Sequence, residues 1–145
     1  MKPNMNQQEI AEKSSAILHQ ADKCARTLGI QIVEVSPGGA VVSMTVHADY
    51  ANGHGYCQGG IITTLADTAF AHACNSHNEM NVAQGLSIEF VRSAKIGERL
   101  LATAVEQSNG KRTGVYQVLV TNSDDRIVAI FSGKSFSRNQ AIFSD

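Results

Sequence analysis

Residues 61–74 constrain this chain more than any other stretch. Ile61, Ile62, Leu65, Ala66, Ala69, Phe70, Ala71, Ala73 and Cys74 spread apolar side chains around the whole circumference of a helix instead of along one stripe. A helix of that kind is stable only where other elements cover it on nearly every side. The cover must come from the same short chain, because 145 residues make one domain of ordinary size, domains clustering at about 100–150 residues. We read residues 1–145 as a single domain, with residues 1–6 and 138–145 as flexible ends.

The flanking sequence supplies the cover. Residues 7–28 place Ile10, Ala11, Ile17, Leu18, Ala21, Ala25 and Leu28 at helical spacing with charged residues between them, which is the pattern of one amphipathic helix. Residues 30–35 and 40–47 alternate and are β-branched on either side of Ser36-Pro37-Gly38-Gly39, which is turn chemistry, so they form a hairpin. Residues 49–60 are loop-like, with glycines at 53, 55, 59 and 60. Four further strands follow at 85–91, 99–107, 114–121 and 127–136. Asn109-Gly110 and Ser123-Asp124-Asp125 join the last three by turns too short for parallel crossovers. The fold class is therefore α+β, a mostly antiparallel sheet wrapped around one apolar central helix, with an N-terminal helix besides.

Charge narrows the partners. A net charge of −1 lacks the basic footprint that nucleic-acid binding requires. No run approaches the ~20 apolar residues of a membrane span, and residues 1–20 are too polar and acidic for a signal-peptide core. A cytoplasmic protein with neither nucleic acid nor membrane as partner is expected. Cys24, Cys57 and Cys74 form no CxxC pair and read as reduced thiols. His72 and His77 miss the four-residue spacing that aligns two metal ligands on a helix, so no metal is expected. Charged residues are 17 % of the chain, against about 25 % in a typical domain, which points to surface covered in an oligomer.

Asp67 is the single charge inside the apolar helix. Burial raises a carboxylate's pKa towards the value useful to a general base. The plainer alternative is a structural aspartate that hydrogen-bonds a loop. Gln58-Gly59-Gly60 precedes the helix, and free N–H groups at a helix start, approachable because glycine has no side chain, can hold an oxyanion. A tight strand-to-helix turn would also use two glycines. Gly60 and Asp67 stand ~10 Å apart along the axis at 1.5 Å per residue, too far for both to meet one reacting carbon. Two antiparallel copies meeting at a twofold axis would bring the aspartate of one to the helix start of the other, which predicts an obligate dimer with two shared sites. A competing pattern lies in the same loop: Gly55-Tyr56-Cys57-Gln58-Gly59 fits a nucleophile elbow with cysteine as nucleophile, although a loop precedes it and no histidine is singled out as its partner.

Asn52-Gly53-His54 through Cys57-Gln58-Gly59-Gly60, followed by Leu65-Ala66-Asp67-Thr68-Ala69-Phe70-Ala71, resembles the hotdog-fold acyl-CoA thioesterases, closely the PaaI-like branch of phenylacetate degradation. The similarity runs from Asp22 to about Ser135 and takes in Gly114-Val115-Tyr116. The resemblance implies thioester hydrolysis without metal or organic cofactor, in dimers joined sheet edge to sheet edge that pair into tetramers. It implies that Asp67 activates water or attacks directly, that the Gly59 amide holds the oxyanion, and that Asn52 positions the carbonyl or water. Gln58 stands where the family usually has histidine and can still donate a hydrogen bond. Ala83 stands where some relatives carry a water-orienting serine or threonine. Gly60, Thr64 and Thr68 would line the acyl pocket with Ile61 and Leu65, and a phenylacetyl-type acyl group is implied. For the coenzyme A phosphates, the strand-end cations available are Arg92, Lys95, Lys111, Arg112 and Lys134. The alternative within the same fold is a non-catalytic acyl-CoA-binding sensor or scaffold. A hydratase would need a catalytic histidine paired with an acid on the central helix.

Overall fold

Asn6 starts the first helix. Its side chain accepts from the Glu9 N–H while the Glu9 carboxylate accepts from the Asn6 N–H, a reciprocal cap. The computed structural model describes residues 4–144; residues 1–3 and 145, parts of the two ends expected to be flexible, lie outside the described residues. Helix α1 (Gln7–Ala21) stops at Asp22, whose backbone turns to φ −86°, ψ 88°. The Asp22 side chain then starts a separate short helix, α2 (Lys23–Thr27), by accepting from the Ala25 N–H at 2.9 Å. The expectation of one helix over 7–28 is thereby corrected. The apolar spacing runs through, but an aspartate that bonds N–H groups ahead of it begins a helix better than it continues one.

Strands β1 (Gln31–Ser36) and β2 (Gly39–Thr45) form the expected hairpin, with Gly38 at φ 75° in its turn, a left-handed conformation that costs glycine little. A 3₁₀ turn (Ala48–Tyr50) opens the loop before the central helix, α3 (Gly59–Cys74). Strands β3 (Asn81–Phe90), β4 (Arg99–Asn109), β5 (Thr113–Thr121) and β6 (Ile127–Ser137) complete one six-stranded sheet in the order β1-β2-β4-β5-β6-β3, antiparallel throughout. β3 begins at Asn81 and not at 85, because the Asn75 side chain accepts from the Asn81 N–H at 2.8 Å and donates to its carbonyl at 3.2 Å. Four bulges bend the sheet around α3, at Val33, Gln84, Gln107 and Val128, each an extra residue facing none on the partner strand.

Leu65, Ala66, Ala69, Phe70 and Ala73 of α3 are buried in one cluster with Val42, Leu100, Ala102, Val118 and Phe131 of the sheet, each large apolar side chain contributing about 1.5–3 kcal/mol. The Phe70 ring lies 5.6 Å from that of Tyr116 and 5.8 Å from that of Phe131. Gly133 makes room for this packing, since a Cβ there would stand 2.9 Å from both phenylalanine rings. The cover on α3 is incomplete, which corrects the expectation of burial on nearly every side. Gly60 is exposed, and Thr63, Thr64, Asp67 and Ala71 are partly so; at 100° per residue they form one strip. At the sheet margin, β3 leaves one edge unpaired and shows Val82, Leu86 and Phe90 about half exposed. No helix among the described residues is long and apolar enough to cross a membrane.

Candidate active site

Asp67 sits at the middle of the open strip of α3, half-buried, and no described residue hydrogen-bonds its carboxylate. Burial raises its pKa, and the Asp22 carboxylate adds to the effect. The structural alternative of an aspartate tied to a loop has no bond to support it. A carboxylate without donors and partly out of water is instead a stronger base than an ordinary surface aspartate.

The loop before α3 is built around Asn52. Its side-chain oxygen accepts from the His54 N–H at 2.9 Å and the Tyr56 N–H at 3.2 Å, and its backbone N–H donates to the Tyr56 carbonyl at 2.6 Å. The Asn52 side-chain N–H₂ is left free to donate elsewhere. Gln58 occupies the N-cap position with no side-chain cap and with its side chain exposed; its own N–H donates to the Tyr50 carbonyl at 2.7 Å. The N–H groups of Gly59 and Gly60 therefore start the helix without intrahelical partners. Gly59 lies under the Phe90 ring, where a Cβ would meet Cζ at 3.1 Å, whereas Gly60 faces open space. Thr64 and Thr68 spend their hydroxyls on the Gly60 and Thr64 carbonyls at 2.9 and 2.8 Å, so toward a ligand they offer mainly methyl groups.

A cleft of about 300 Å³ brings together Asn52, Gly59 and Arg92 with Tyr56, Cys57, Ile62 and Phe90. Asp67 is not among its lining residues. Eight residues of helix separate it from Gly59, ~12 Å at 1.5 Å per residue. One chain thus presents a donor cleft at the helix start and an unpaired carboxylate two turns away.

Against protein families, the model described as thioesterase superfamily matches residues 54–129, from the loop after Asn52 to the first residues of β6. The chain belongs to the thioesterase superfamily. Acyl-coenzyme A thioesterase PaaI of Escherichia coli is 45 % identical over 125 residues, covering 86 % of this chain and 89 % of the relative. The structure of the E. coli PaaI protein from the phenylacetic acid degradation operon superposes with a TM-score of 0.92 at 41 % identity, over 94 % of this chain and 99 % of that one. A Streptococcus mutans protein solved with acetyl CoA bound matches with a TM-score of 0.75 at 28 % identity, over 77 % of this chain and 90 % of that one. The wrapped helix is the hotdog fold of the E. coli PaaI structure.

The thioesterase keeps other sequence candidates apart. Ala83 lies exposed beside the β3 bulge, opposite Ser135, and stands ~23 Å along the strand from Phe90 at 3.3 Å per residue, far from Gly59 of the same chain. Lys111 and Arg112 line a different cavity, of about 440 Å³, together with Arg138, where the β4–β5 turn meets the end of β6. Arg92 donates to the Ile127 carbonyl at 2.8 Å and reaches the donor cleft. Cys57 is buried, no histidine bonds it, and burial pushes its thiol up to about 11, which disfavours the thiolate that the elbow reading needs. Among the described residues no group of three or more His, Cys, Asp or Glu is placed to hold a metal. Sequence reasoning missed Tyr56 and Phe90, which wall the cleft. An aromatic residue at the end of an edge strand was the only signal, and it does not say which loop that end meets.

Proposed function

We propose that this thioesterase hydrolyses acyl-CoA thioesters, phenylacetyl-type aromatic ones foremost, at two sites shared across a homodimer. The observation that carries the proposal is the unpaired, half-buried Asp67 carboxylate on the open strip of α3, ~12 Å along the helix from the free Gly59 N–H of its own chain. Two copies joined at their unpaired β3 edges, with antiparallel central helices, bring Asp67 of one to the Gly59 amide of the other. The half-exposed Val82, Leu86 and Phe90 on that edge support the joint. Pairing of such dimers into a tetramer, and a cytoplasmic location, belong to the same proposal.

In the reaction the Gly59 N–H, backed by the positive end of the α3 dipole, donates to the thioester oxygen and stabilises the charge that develops there. The free N–H₂ of Asn52 holds the carbonyl or the water, and Gln58 orders the loop and supplies a further donor. Asp67 then works in one of two ways. As base it takes a proton from water while the water oxygen bonds the carbonyl carbon; as nucleophile its own oxygen bonds that carbon and water cleaves the resulting anhydride. Either way the tetrahedral intermediate collapses by breaking the C–S bond, and the coenzyme A thiolate leaves and takes up a proton. Gly60 and Thr64 border the acyl group along the strip, with Thr68 buried one turn on from Thr64. Arg92, with Lys111 and Arg112, supplies cations for the phosphates, and Ala83 fills a water-side position without a hydroxyl.

The name and the 45 % identity of the E. coli relative support the acyl-CoA substrate class. The test is thiol release from a panel of acyl-CoA esters by wild type and Asp67→Asn. The variant should keep its fold and oligomeric state and lose at least ~10³ in kcat, about 4 kcal/mol of transition-state stabilisation. Hydrolysis within tenfold of wild type on every ester would refute the role of Asp67.

A further inference from the structure

The N-terminal helices lie along the central helix in a definite direction. The Ser15 Oγ on α1 is 2.8 Å from the His72 Nδ1 near the end of α3. The Leu28 carbonyl, just past α2, accepts from the Tyr50 hydroxyl at 2.7 Å, and the Tyr50 carbonyl accepts from the Gln58 N–H where α3 begins. The chain from 15 to 28 therefore runs antiparallel to α3. Asp22 stands seven residues beyond Ser15 and Asp67 five residues before His72, about 10 Å and about 8 Å along their helices at 1.5 Å per residue. The α1–α2 corner is thus level with Asp67. The Asp22 carboxylate is half-buried there and held in place by the 2.9 Å bond from the Ala25 N–H.

We propose that Asp22 is a positioning residue for the reaction: its fixed carboxylate acts through Asp67, keeping that group basic enough to take a proton from water or to attack the thioester carbon. The inference rests on the reading of Asp67 given above. Both routes discharge Asp67, one by protonation and the other by forming an O–C bond, so repulsion from Asp22 is relieved as the barrier is climbed. The direction of the Asp67 pKa agrees, being raised by burial first and by Asp22 second. The other titratable or charged groups on the elements around them are His72 and Cys74 on α3, His19 on α1, and Lys23, Cys24 and Arg26 on α2, whose side chains are exposed. Burial holds His72 neutral at about 4 and the Cys74 thiol protonated at about 12. The sheet residues buried beneath α3 are uncharged.

Asp22→Asn tests this without removing the cap, because asparagine caps as well as aspartate; Asp22→Ser, another good cap, guards against an effect of the new amide. Three measurements run together: the pH profile of kcat/KM, the separate kcat and KM values, and a ¹³C side-chain carboxyl NMR titration in which Asp67→Asn assigns the Asp67 signal. In both Asp22 variants the acidic limb should move to lower pH and the Asp67 signal should titrate lower, with kcat down about three- to tenfold and KM within twofold. An acidic limb and an Asp67 titration that stay in place in both variants overturn the proposal, even if the rate falls, since a lost structural contact lowers rates without moving that limb. Failure of the Asp67 reading itself shows separately, as an Asp67→Asn enzyme that still turns over near the wild-type rate.

Discussion

His72 should make this protein acid-sensitive, and the size of the effect follows from its surroundings. The imidazole is 2 % exposed and its Nδ1 is 2.8 Å from the Ser15 Oγ. Burial lowers its pKa from 6.5 to about 4, His19 adding to the effect and Asp22 opposing it. Between those two values the unfolded chain binds a proton that the folded chain does not. The stability tied to His72 is therefore complete above pH 6.5 and is lost as pH falls toward 4. At 1.36 kcal/mol per pH unit this amounts to about 3 kcal/mol, a large fraction of the 5–15 kcal/mol typical of a domain. Asp67 works in the opposite direction, because its raised pKa lets the folded form take up a proton more readily in acid. Comparison with His72→Leu separates the two. Urea unfolding of wild type and variant at pH 7.5 and 4.5, at one protein concentration, should show wild type losing about 3 kcal/mol more than the variant across that interval. The variant starts from lower stability, since Ser15 loses its partner, but the slope is what is read. Equal losses in the two proteins would mean that His72 is protonated, or wet, in the folded state.

Asp67→Asn subunits mixed with Gly59→Pro subunits, each inactive alone, should recover up to about half of wild-type activity per mixed dimer, because one of the two shared sites then carries neither defect; no recovery in heterodimers verified by mass spectrometry would place the site within one chain. Cys57→Ala should retain most activity in the thiol-release assay, and a folded but inactive variant would restore the cysteine as nucleophile. Gly133→Ala pushes a methyl to 2.9 Å from the Phe70 and Phe131 rings, so thermal melting should show a loss of about 1–3 kcal/mol, and an unchanged melt would mean the rings shift freely.

Much of the architecture was legible because periodicity survives in it. The apolar residues spread around the circumference of 61–74 required a wrap, and short turns at Asn109-Gly110 and Ser123-Asp124-Asp125 required antiparallel neighbours. What periodicity does not carry was missed. The stop at Asp22 lies within continuous apolar spacing and is decided by one side-chain bond to the Ala25 N–H. Asn52 stood out as a ligand contact, yet half of its side chain holds its own loop through His54 and Tyr56. The closeness of Phe90 to Gly59, and the level of Asp22 against Asp67, depend on how distant segments come to rest, which local pattern does not encode. The open strip on α3 was hidden for a related reason: threonine, glycine and alanine are small enough to pass as interior residues.

The four bulges give the strands something like a shifted reading frame. Ile32 and Val35 both pack on the core although strict alternation would send them to opposite faces, and it is the extra Val33 between them that restores Val35 to the inside. Gln84, Gln107 and Val128 make the same shift in β3, β4 and β6. A single residue lost from one of these strands can therefore be absorbed by loss of its bulge, much as a second frameshift rescues a first, with the inward and outward faces kept. Outside β6, whose extra residue Val128 is itself buried in the core, such a deletion would spare burial and flatten the sheet, so its effect would be felt first in how tightly the sheet curls around α3.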